Sequence, residues 1–395
     1  MRRFWIGLFG LLSFATLHAD NWMAGLPENA YVATVSIPGA HDAATGSGWQ
    51  DGLEEMGDRY ARTQDLTLGE MWHLGVRAFD FRPCVDEDYM NLNHGIMSTQ
   101  VHFEDALRLL RDSLVANPSE FVVIHMLHES DGDMVSDVYN QRIVELLTQD
   151  DLKDFFVGFK RDLKVSDLRG KMLVLSRDNY SNNPIGGYFT GWTGENNWAR
   201  QMGARIMSKK GVVGAPTTVQ DYSDTHNAGG VDTKVSAIKK LLDYSTKMDY
   251  TKLGGWRWIF NFASAYSKVE SLFGYEISLS DGYRDNAAHT HAAILDYLTA
   301  ETYTGGPTGV VLMDYVGVDQ SGDYAVRGLE VLNAIINNNF RYLTPELDVV
   351  WPVAATLSAN QSFSVEGWQV GVSSRRPGLQ LVRQTDGSVK KIIVK

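Results

Sequence analysis

Two histidines in the sequence have neighbours that suit them to acid–base chemistry. His41 lies in SIPGAHD, directly after an apolar run, where Pro38 and Gly39 are predicted to turn the chain and present the imidazole at the end of a strand. His94 lies in NLNHG, between an asparagine and a glycine, as expected in a turn or at a strand end. Because histidine titrates near neutral pH, the pair could supply a general base and a general acid.

An aspartate and an arginine stand two residues apart in the motif GVRAFDFRP. Side chains two apart on a strand share one face, so Asp80 and Arg82 are predicted to point inward together. A guanidinium matches the geometry of phosphate oxygens, and two histidines with an arginine form a constellation suited to phosphoryl transfer. Asp80 could equally be only a buried ion-pair partner of Arg82.

Alternating strand and helix patterns must position these residues. Short β-branched runs predict buried parallel strands, and apolar residues three and four apart predict helices between them. The predicted strands cover residues 32–37, 76–81, 121–126, 172–175 and 310–313, and the predicted helices cover residues 103–116, 137–147 and 235–242. This order favours an α/β fold, a (β/α) barrel with its site at the carboxyl ends of the strands. An open doubly wound sheet is the alternative, but its fingerprint GxGxxG is absent.

Length and composition set the domain organisation. The 395 residues suffice for one large domain, predicted over residues 20–345, followed by a small β-rich tail over residues 346–395. In the tail, Asp386-Gly387 between two alternating runs predicts a hairpin. Cys84 is the single cysteine, so no intramolecular disulfide can form. The 36 basic and 48 acidic residues give a net charge of −12, which argues against nucleic acid as a partner.

The N-terminal 19 residues are predicted to be a secretory signal peptide. Arg2 and Arg3 precede an apolar run over residues 4–17, and the polar sequence begins after Ala19. The run is too short to anchor the chain in a bilayer, and no later stretch has the length of a transmembrane helix. We therefore expect secretion to the extracellular space or cell surface, with the periplasm as the alternative.

Seven motifs along residues 22–320 resemble the X domain of the bacterial phosphatidylinositol-specific phospholipases C. They are, in order, SIPGAHD, GVRAFDFRP, NHG, SEFVVIHMLHE, GKMLVLSRD, VQD and GVVLMDYVG. Each motif alone is weak, but their shared order makes coincidence improbable. The resemblance implies a distorted TIM barrel, a lyase that cleaves phosphatidylinositol or a related inositol phosphodiester to diacylglycerol and inositol 1,2-cyclic phosphate.

The resemblance also implies a role for each catalytic residue. His41 would take the proton from the inositol 2-hydroxyl, and Asp314 in LMDYVG would hold its imidazole in the manner of a triad aspartate. His94 would protonate the departing diacylglycerol oxygen, with Asp42 raising its affinity for a proton. Arg82 would neutralise charge on the non-bridging phosphate oxygens.

Inositol recognition falls, by the same resemblance, to residues in three other motifs. Arg177 in LSRD and Asp221 in VQD would bind the ring hydroxyls, and Tyr222 could provide an aromatic face. The sequence departs from the family in two places. His128 stands where a lysine is usual, although it is still predicted to contact the head group, and the aromatic after VQD is displaced by one residue. Asp80 is kept as a supporting residue of the binding site.

No metal or other cofactor is predicted. Family members that use calcium resemble this chain in layout but place a carboxylate at the position of Arg82. Asp42, Asp80 and Glu129 could be imagined as an oxygen cage, yet calcium needs six to eight oxygen ligands and an arginine among them would repel it. We therefore expect metal-independent catalysis.

Two other functions stay open at this point. One is a metal-dependent glycerophosphodiester phosphodiesterase, against which Arg82 argues. The other is a non-catalytic inositol-lipid binding protein, for which a lost histidine or a lost Asp314 would be expected. The expected partners of the enzyme are an inositol phospholipid head group and, transiently, a membrane surface, and the chain is expected to be a monomer.

Some motifs are given structural interpretations or a role outside catalysis. The other histidines of the chain are assigned to structural positions: His18, His73, His102, His125, His226, His289 and His291. Trp256 and Trp258 could form a lipid-facing rim, with packing in the core as the alternative. The C-terminal stretch from Gly378 resembles the sorting tails of Bacteroidetes type IX secretion, with a plain hairpin as the alternative.

Overall fold

The structure is a computed structural model that describes most of the chain. The described residues are 19–86, 89–129, 133, 138–178, 185–192, 203–208, 214–227, 229–248, 257–272 and 274–343, and the backbone of strands at 362–364, 369–370, 378–383 and 389–394. The predicted signal peptide therefore lies almost entirely outside the described residues, as does Trp256.

The chain divides into two compact units, Met1–Pro345 and Glu346–Lys395. The first unit contains eight α-helices among its described residues. They are α1 (Glu54–Tyr60), α2 (Leu68–Leu74), α3 (Phe103–Ala116), α4 (Tyr139–Leu147), α5 (Val165–Leu168), α6 (Gly230–Ser245), α7 (Ser280–Thr299) and α8 (Gly328–Tyr342).

The strands of the first unit fall into a barrel and two small antiparallel sheets. In chain order they are β1 (Ile37–Ala40), β2 (Ala78–Phe81), β3 (Pro83–Asp86), β4 (Tyr89–His94), β5 (Met97–His102), β6 (Val122–Met126), β7 (Met172–Ser176), β8 (Gly187–Thr190), β9 (Arg205–Met207), β10 (Ala215–Gln220), β11 (Trp258–Phe262), β12 (Val269–Leu272), β13 (Tyr275–Ser278) and β14 (Val310–Met313).

Nine strands of the described chain close into the barrel. Their order around it is β1, β2, β6, β7, β8, β9, β10, β11 and β14, which pairs with β1 again. Neighbouring strands are parallel except that β9 runs antiparallel to both β8 and β10. The closed sheet confirms the predicted distorted barrel, and it rules out the open doubly wound alternative because a doubly wound sheet has two free edges.

The barrel strands are buried on both faces, as parallel strands covered by helices must be. All residues of β1, β2, β6, β7, β11 and β14 are buried. Trp258 is 1% exposed in β11, so it belongs to the core. Helix α3 has the predicted bounds, and its apolar face of Phe103, Leu107, Leu110 and Leu114 packs into the same core.

The segment before His41 differs from the prediction. Residues 32–37 are not one strand: Val32–Thr34 is a 3-10 helix, and the strand begins at Ile37. Pro38 and Gly39 lie inside β1 and do not turn the chain. A Cβ at Gly39 would lie 2.7 Å from the Leu312 side chain and 2.8 Å from the Ala78 Cβ, so glycine lets three strands approach closely.

The turn at the end of β1 is made two residues later, by Asp42. Its φ of 41° lies in the left-handed region, which is uncommon for a residue with a side chain. A 3-10 helix, Ala43–Ser47, follows directly. This turn directs both His41 and Asp42 toward the carboxyl ends of the barrel strands.

Two antiparallel additions complete the first unit. β3, β4 and β5 form a sheet that follows directly from β2, and β12 pairs with β13 as a hairpin. His94 is the last residue of β4, and Gly95 after it has a positive φ of 57°, which fits the predicted strand end. The three-stranded sheet therefore brings the second histidine into the unit that holds the first.

The second unit contains four described strands: β15 (Ser362–Ser364), β16 (Gln369–Val370), β17 (Gly378–Arg383) and β18 (Val389–Val394). β17 and β18 pair antiparallel across the Asp386-Gly387 segment, whose own residues lie outside the described part. In the described part of the chain, we find no helix with the length and apolarity needed to cross a membrane.

Candidate active site

Polar residues from different strand ends line one cavity of about 240 Å³. Six of the residues singled out in the sequence line it: His41, Asp42, Arg82, His94, Arg177 and Asp221. His41 follows β1, Arg82 follows β2, Arg177 follows β7 and Asp221 follows β10. Because parallel barrel strands end at the same rim, residues far apart in sequence meet there.

His41 is held by a carboxylate that is 273 residues away in the sequence. Its Nδ1 lies 2.8 Å from Oδ1 of Asp314, which follows β14 and is buried. The backbone of His41 is fixed too, since its N–H donates to the carbonyl of Met313 and its carbonyl accepts from Nε2 of Gln64. With a carboxylate accepting from Nδ1–H, Nε2 is the ring nitrogen free to exchange a proton with a substrate.

The carboxylates around His41 control its protonation. Burial by itself would lower the pKa of His41, but the negative charges of Asp42, Asp314 and Asp80 outweigh it and raise the pKa to about 9. In the substrate-free site at neutral pH, His41 is therefore mainly an imidazolium. It can act as a base only after that proton has left.

His94 faces the same cavity from the end of β4. Its Nδ1 donates to the carbonyl of Ala61 at 2.7 Å, which leaves Nε2 directed at the site. That Nε2 lies 3.5 Å from Oδ2 of Asp42 and 3.3 Å from the hydroxyl of Tyr283. A backbone carbonyl thus fixes the tautomer of His94, whereas an aspartate fixes that of His41.

Asp42 connects the two histidines and the arginine. Its Oδ2 lies 3.4 Å from Nε2 of His41 and 3.5 Å from Nε2 of His94, and its Oδ1 lies 3.4 Å from Nε of Arg82. The two imidazole centroids are 6.5 Å apart. One buried carboxylate therefore attracts the positive charge of three groups that line the cavity.

Arg82 is fixed by a two-point ion pair with Asp80. Nε donates to Oδ1 at 3.1 Å and Nη2 donates to Oδ2 at 3.0 Å, while Nη1 lies 3.7 Å from Oε2 of Glu129. Burial opposes the charge of Arg82, but Asp42 and Asp80 hold its pKa well above the ordinary value. Asp80 itself is fully buried behind the arginine and does not line the cavity.

The described residues contain one set of candidate metal ligands, and Arg82 already pairs with two of its three members. Among the described residues, His41, Asp42 and Asp80 each offer a ligand atom, and these atoms lie within 4.8 Å of one another. Both carboxylates pair with the Arg82 guanidinium. A divalent cation at this position would have to displace or approach a fixed positive charge, so the residues present do not fit a metal.

Arg177 and Asp221 form a second polar group in the cavity. Nη1 of Arg177 lies 3.8 Å from Oδ2 of Asp221, and the same Oδ2 accepts from Nε1 of Trp192 at 3.0 Å. The Trp192 ring also stacks against the Arg177 guanidinium, whose Cζ lies 4.6 Å from the ring centroid. The pair offers donors and an acceptor that suit a hydroxylated ring.

Two residues predicted to bind substrate do not line the cavity. Tyr222 is 1% exposed, whereas its chain neighbours Asp221 and Ser223 line the cavity. The His128 ring stacks on Tyr139 with centroids 3.5 Å apart, and its Nε2 lies 2.5 Å from Oδ2 of Asp133. His128 is therefore engaged away from the cavity.

Several lining residues were not singled out in the sequence. They are Ser223, Ser264, Ala265, Tyr266 and Tyr283. Tyr266 supplies the aromatic side chain that Tyr222 does not. It follows shortly after the run WIFNF, which forms β11, and this run is the sequence signal that could have located Tyr266. Tyr283 lies on α7, and no pattern in the sequence marks it.

Comparisons with known proteins find similarity in sequence and in fold. No family model matches the chain. The 1-phosphatidylinositol phosphodiesterase of Listeria monocytogenes is 26% identical over 302 residues, covering 74% of this chain and 80% of the relative.

Two solved structures show the same fold. A double mutant of the phosphatidylinositol-specific phospholipase C from Staphylococcus aureus superposes with a TM-score of 0.63 at 20% identity, covering 81% of this chain and 97% of that chain. The corresponding enzyme from Listeria monocytogenes gives 0.58 at 21% identity, covering 82% and 99%. The resemblance predicted from the seven motifs is confirmed.

Proposed function

We propose that this protein is a phosphatidylinositol-specific phospholipase C that works without a metal ion. The observation that carries the proposal is that two oriented imidazoles and one fixed guanidinium line a single cavity. The curated relative is named as an enzyme that acts on phosphatidylinositol, which supports the same substrate class here.

The reaction is an intramolecular displacement at phosphorus. Neutral His41 accepts the proton of the inositol 2-hydroxyl through Nε2, and the 2-oxygen forms a bond to phosphorus. The bond from phosphorus to the glycerol oxygen breaks, and protonated His94 gives its proton to that oxygen. The products are inositol 1,2-cyclic phosphate and diacylglycerol, and no water is consumed.

Three other groups stabilise charge during this step. Asp314 balances the imidazolium that forms at His41. Arg82, held by Asp80, places its donors beside the non-bridging phosphate oxygens. Asp42, whose Oδ2 lies 3.5 Å from Nε2 of His94, balances the positive charge of the protonated acid.

The remaining lining residues would bind the inositol ring. Arg177 and Asp221 offer hydrogen bonds to its hydroxyls, and Tyr266 offers an aromatic face. The cavity of about 240 Å³ is smaller than the roughly 300–1,000 Å³ of sites for drug-sized ligands. It suits a single head-group ring and leaves the diacylglycerol chains outside.

The experiment that tests this function is phosphorus NMR of the products formed from phosphatidylinositol with chelator present. We expect a cyclic phosphate signal with the native chain and none with His41→Ala. The change His289→Ala, at a half-exposed helix position, is the matched control and should leave the product unchanged. Failure of the native chain to cleave with chelator, followed by recovery with calcium, would favour the metal-dependent phosphodiesterase.

The pH dependence should reflect the carboxylates around His41. Because the pKa of His41 is about 9 and the base must be neutral, kcat/KM is expected to rise with pH through the range above 7. Asp314→Asn removes one negative charge, so the rising limb should move to lower pH by about one unit or more. Initial rates across pH, each profile scaled to its own maximum, test this shift. If the rising limb did not move in Asp314→Asn, it would report the titration of a group other than His41.

Contact with a lipid surface is proposed to involve the turn that follows His94. Ile96 is 67% exposed only two residues from that histidine. Ile96→Glu should slow cleavage of phosphatidylinositol in vesicles by about 5- to 10-fold, since an apolar contact with lipid is replaced by a charge. Cleavage of a short-chain monomeric substrate should hardly change.

Val115→Glu is the control for the vesicle experiment. Val115 is also exposed, at 64%, but it lies near the end of α3, shortly before β6 begins and so away from the rim that carries the site. Equal losses for both variants on vesicles would contradict a specific contact at Ile96.

Secretion is proposed from the sequence of the two ends. Residues 1–19 would direct export and be removed, and the tail over residues 346–395 would act as a sorting signal. Mass spectrometry of the exported protein would show whether its first residue is Asp20 and whether the tail has been cleaved.

A further inference from the structure

A second buried histidine stands directly behind the arginine of the site. His125 is the fourth of the five residues of β6 and is 1% exposed. Its Nδ1 is 2.6 Å from Oδ1 of Asp80, the carboxylate that holds Arg82. The sequence had placed His125 among the structural histidines.

The surroundings of His125 determine its tautomer. Its ring packs against three aromatic side chains, with centroid distances of 5.8 Å to Phe189, 5.2 Å to Trp192 and 5.5 Å to Phe262. Nε2 has no hydrogen-bond partner among the described residues. A proton on Nε2 would be buried without an acceptor, so the neutral ring with its proton on Nδ1 is favoured. Burial lowers the pKa of His125, in agreement.

Asp80 depends on His125 for its shortest hydrogen bond. Oδ1 accepts from His125 at 2.6 Å and from Nε of Arg82 at 3.1 Å, while Oδ2 accepts from Nη2 of Arg82 at 3.0 Å and from the backbone N–H of Asp42 at 3.4 Å. The donors fix the plane of the carboxylate. That plane in turn sets where the guanidinium lies.

The neutrality of this donor matters for Arg82. A cation at position 125 would share the negative charge of Asp80 and repel the guanidinium. A neutral N–H donates a hydrogen bond to the buried Asp80 carboxylate and leaves the negative charge of that carboxylate to pair with Arg82. An apolar residue would pack as well in β6, whose other residues are Val122, Val123, Ile124 and Met126, but would leave Oδ1 with one donor fewer.

We infer that His125 is a positioning residue for the phosphate-binding arginine, acting on Arg82 through Asp80. The inference rests on the proposed function, because it assigns to Arg82 the binding of the substrate phosphate. His125 does not line the cavity, so the role assigned to it is one of positioning.

The first test compares two replacements of His125. His125→Leu removes the donor and should lower kcat on phosphatidylinositol about 10- to 100-fold, the size expected for a hydrogen bond to a charged group. His125→Asn places an amide N–H near the position of Nδ1 and should recover most of that loss. Equal losses in the two variants, with both folded by circular dichroism, would overturn the inference.

A double-mutant cycle separates positioning from packing. In an Arg82→Gln background, His125→Leu should lower kcat by less than about threefold, because the guanidinium that it positions is already gone. A full second loss of about 10- to 100-fold would show that His125 acts by another route. Asn338→Leu is the matched control, since Asn338 is also buried and hydrogen-bonded, to Ser36 and Gly306, but is remote from the cavity lining. It should lower the melting temperature without this coupling.

Binding of inorganic phosphate gives a readout that needs no turnover. Phosphorus NMR titration of the full chain should show weaker phosphate binding in His125→Leu than in the native protein, by about 10-fold, and recovery in His125→Asn. Unchanged phosphate affinity in His125→Leu would overturn the inference. If the native chain binds phosphate in this pattern but cleaves no inositol lipid, the proposed function fails and the positioning role of His125 stands.

Discussion

Replacing His94 with alanine is expected to slow cleavage of phosphatidylinositol by about 10²–10⁴, and the loss should depend on the leaving group. His94 donates its Nδ1 proton to the Ala61 carbonyl and directs Nε2 into the cavity, so its proton is available to the departing oxygen. A glycerol oxygen is a poor leaving group and needs that proton. A nitrophenolate departs without it.

The measurement is therefore a comparison of two substrates. With inositol 1-(4-nitrophenyl phosphate), His94→Ala should recover most of its activity, whereas His41→Ala should stay inactive because the 2-hydroxyl must still lose its proton. His289→Ala serves as the control on both substrates, since its ring is half exposed on α7. Equal losses for His94→Ala on the two substrates would show that His94 is not the general acid.

Replacing Arg82 is expected to have a comparable effect. Removing a donor that faces developing negative charge costs about 10²–10³ in rate. Arg82→Lys keeps the charge but cannot make the two parallel bonds to Asp80 at 3.1 and 3.0 Å, so we expect only partial activity from it. Arg82→Gln should lose the full amount.

A matched control exists at the surface. Arg59 makes a similar two-point pair with Glu270, but it is 56% exposed and does not line the cavity. Arg59→Lys should leave kcat/KM within about twofold of the native value, because exposed ion pairs contribute little. If Arg82→Lys were as active as Arg59→Lys, the geometry of the guanidinium would not matter and the proposed role of Arg82 would be wrong.

The two histidines are held in different ways, and this has a consequence for the site. His41 is surrounded by carboxylates that raise its pKa to about 9, so at neutral pH it is mainly an imidazolium, whereas the proposed mechanism needs the neutral base. In the proposed reaction, the same carboxylates would stabilise the imidazolium that forms at His41. The site would therefore stabilise the His41 imidazolium before the reaction as well as during it. The pH profile proposed above measures how strongly this disfavours the neutral base in the free enzyme.

The sequence by itself determined the barrel and the identity of several lining residues. Buried β-branched strands that alternate with amphipathic helices have few stable arrangements, so the barrel could be predicted. His41, Arg82, Arg177 and Asp221 each follow a barrel strand, and position relative to a strand end is a local property that a motif records.

The tertiary structure decided which side chains meet and which way each one points. Asp42 lies between His41 and His94 only because the left-handed turn at Asp42 and the carboxyl end of β4 come together in the fold. Tyr222 and His128 do not line the cavity, although their motifs predicted contact with the head group. Side-chain direction beyond a strand end depends on loop conformation, which local sequence determines weakly.

Long-range pairing had no local signal at all. Within FVVIHM, nothing distinguishes His125 from an ordinary strand residue. In the barrel, β6 pairs with β2, and this pairing brings the His125 ring to Asp80. A buried polar side chain takes its role from the partner that packing provides, and that partner can lie anywhere in the chain. Strand pairing in three dimensions therefore decided what that histidine does.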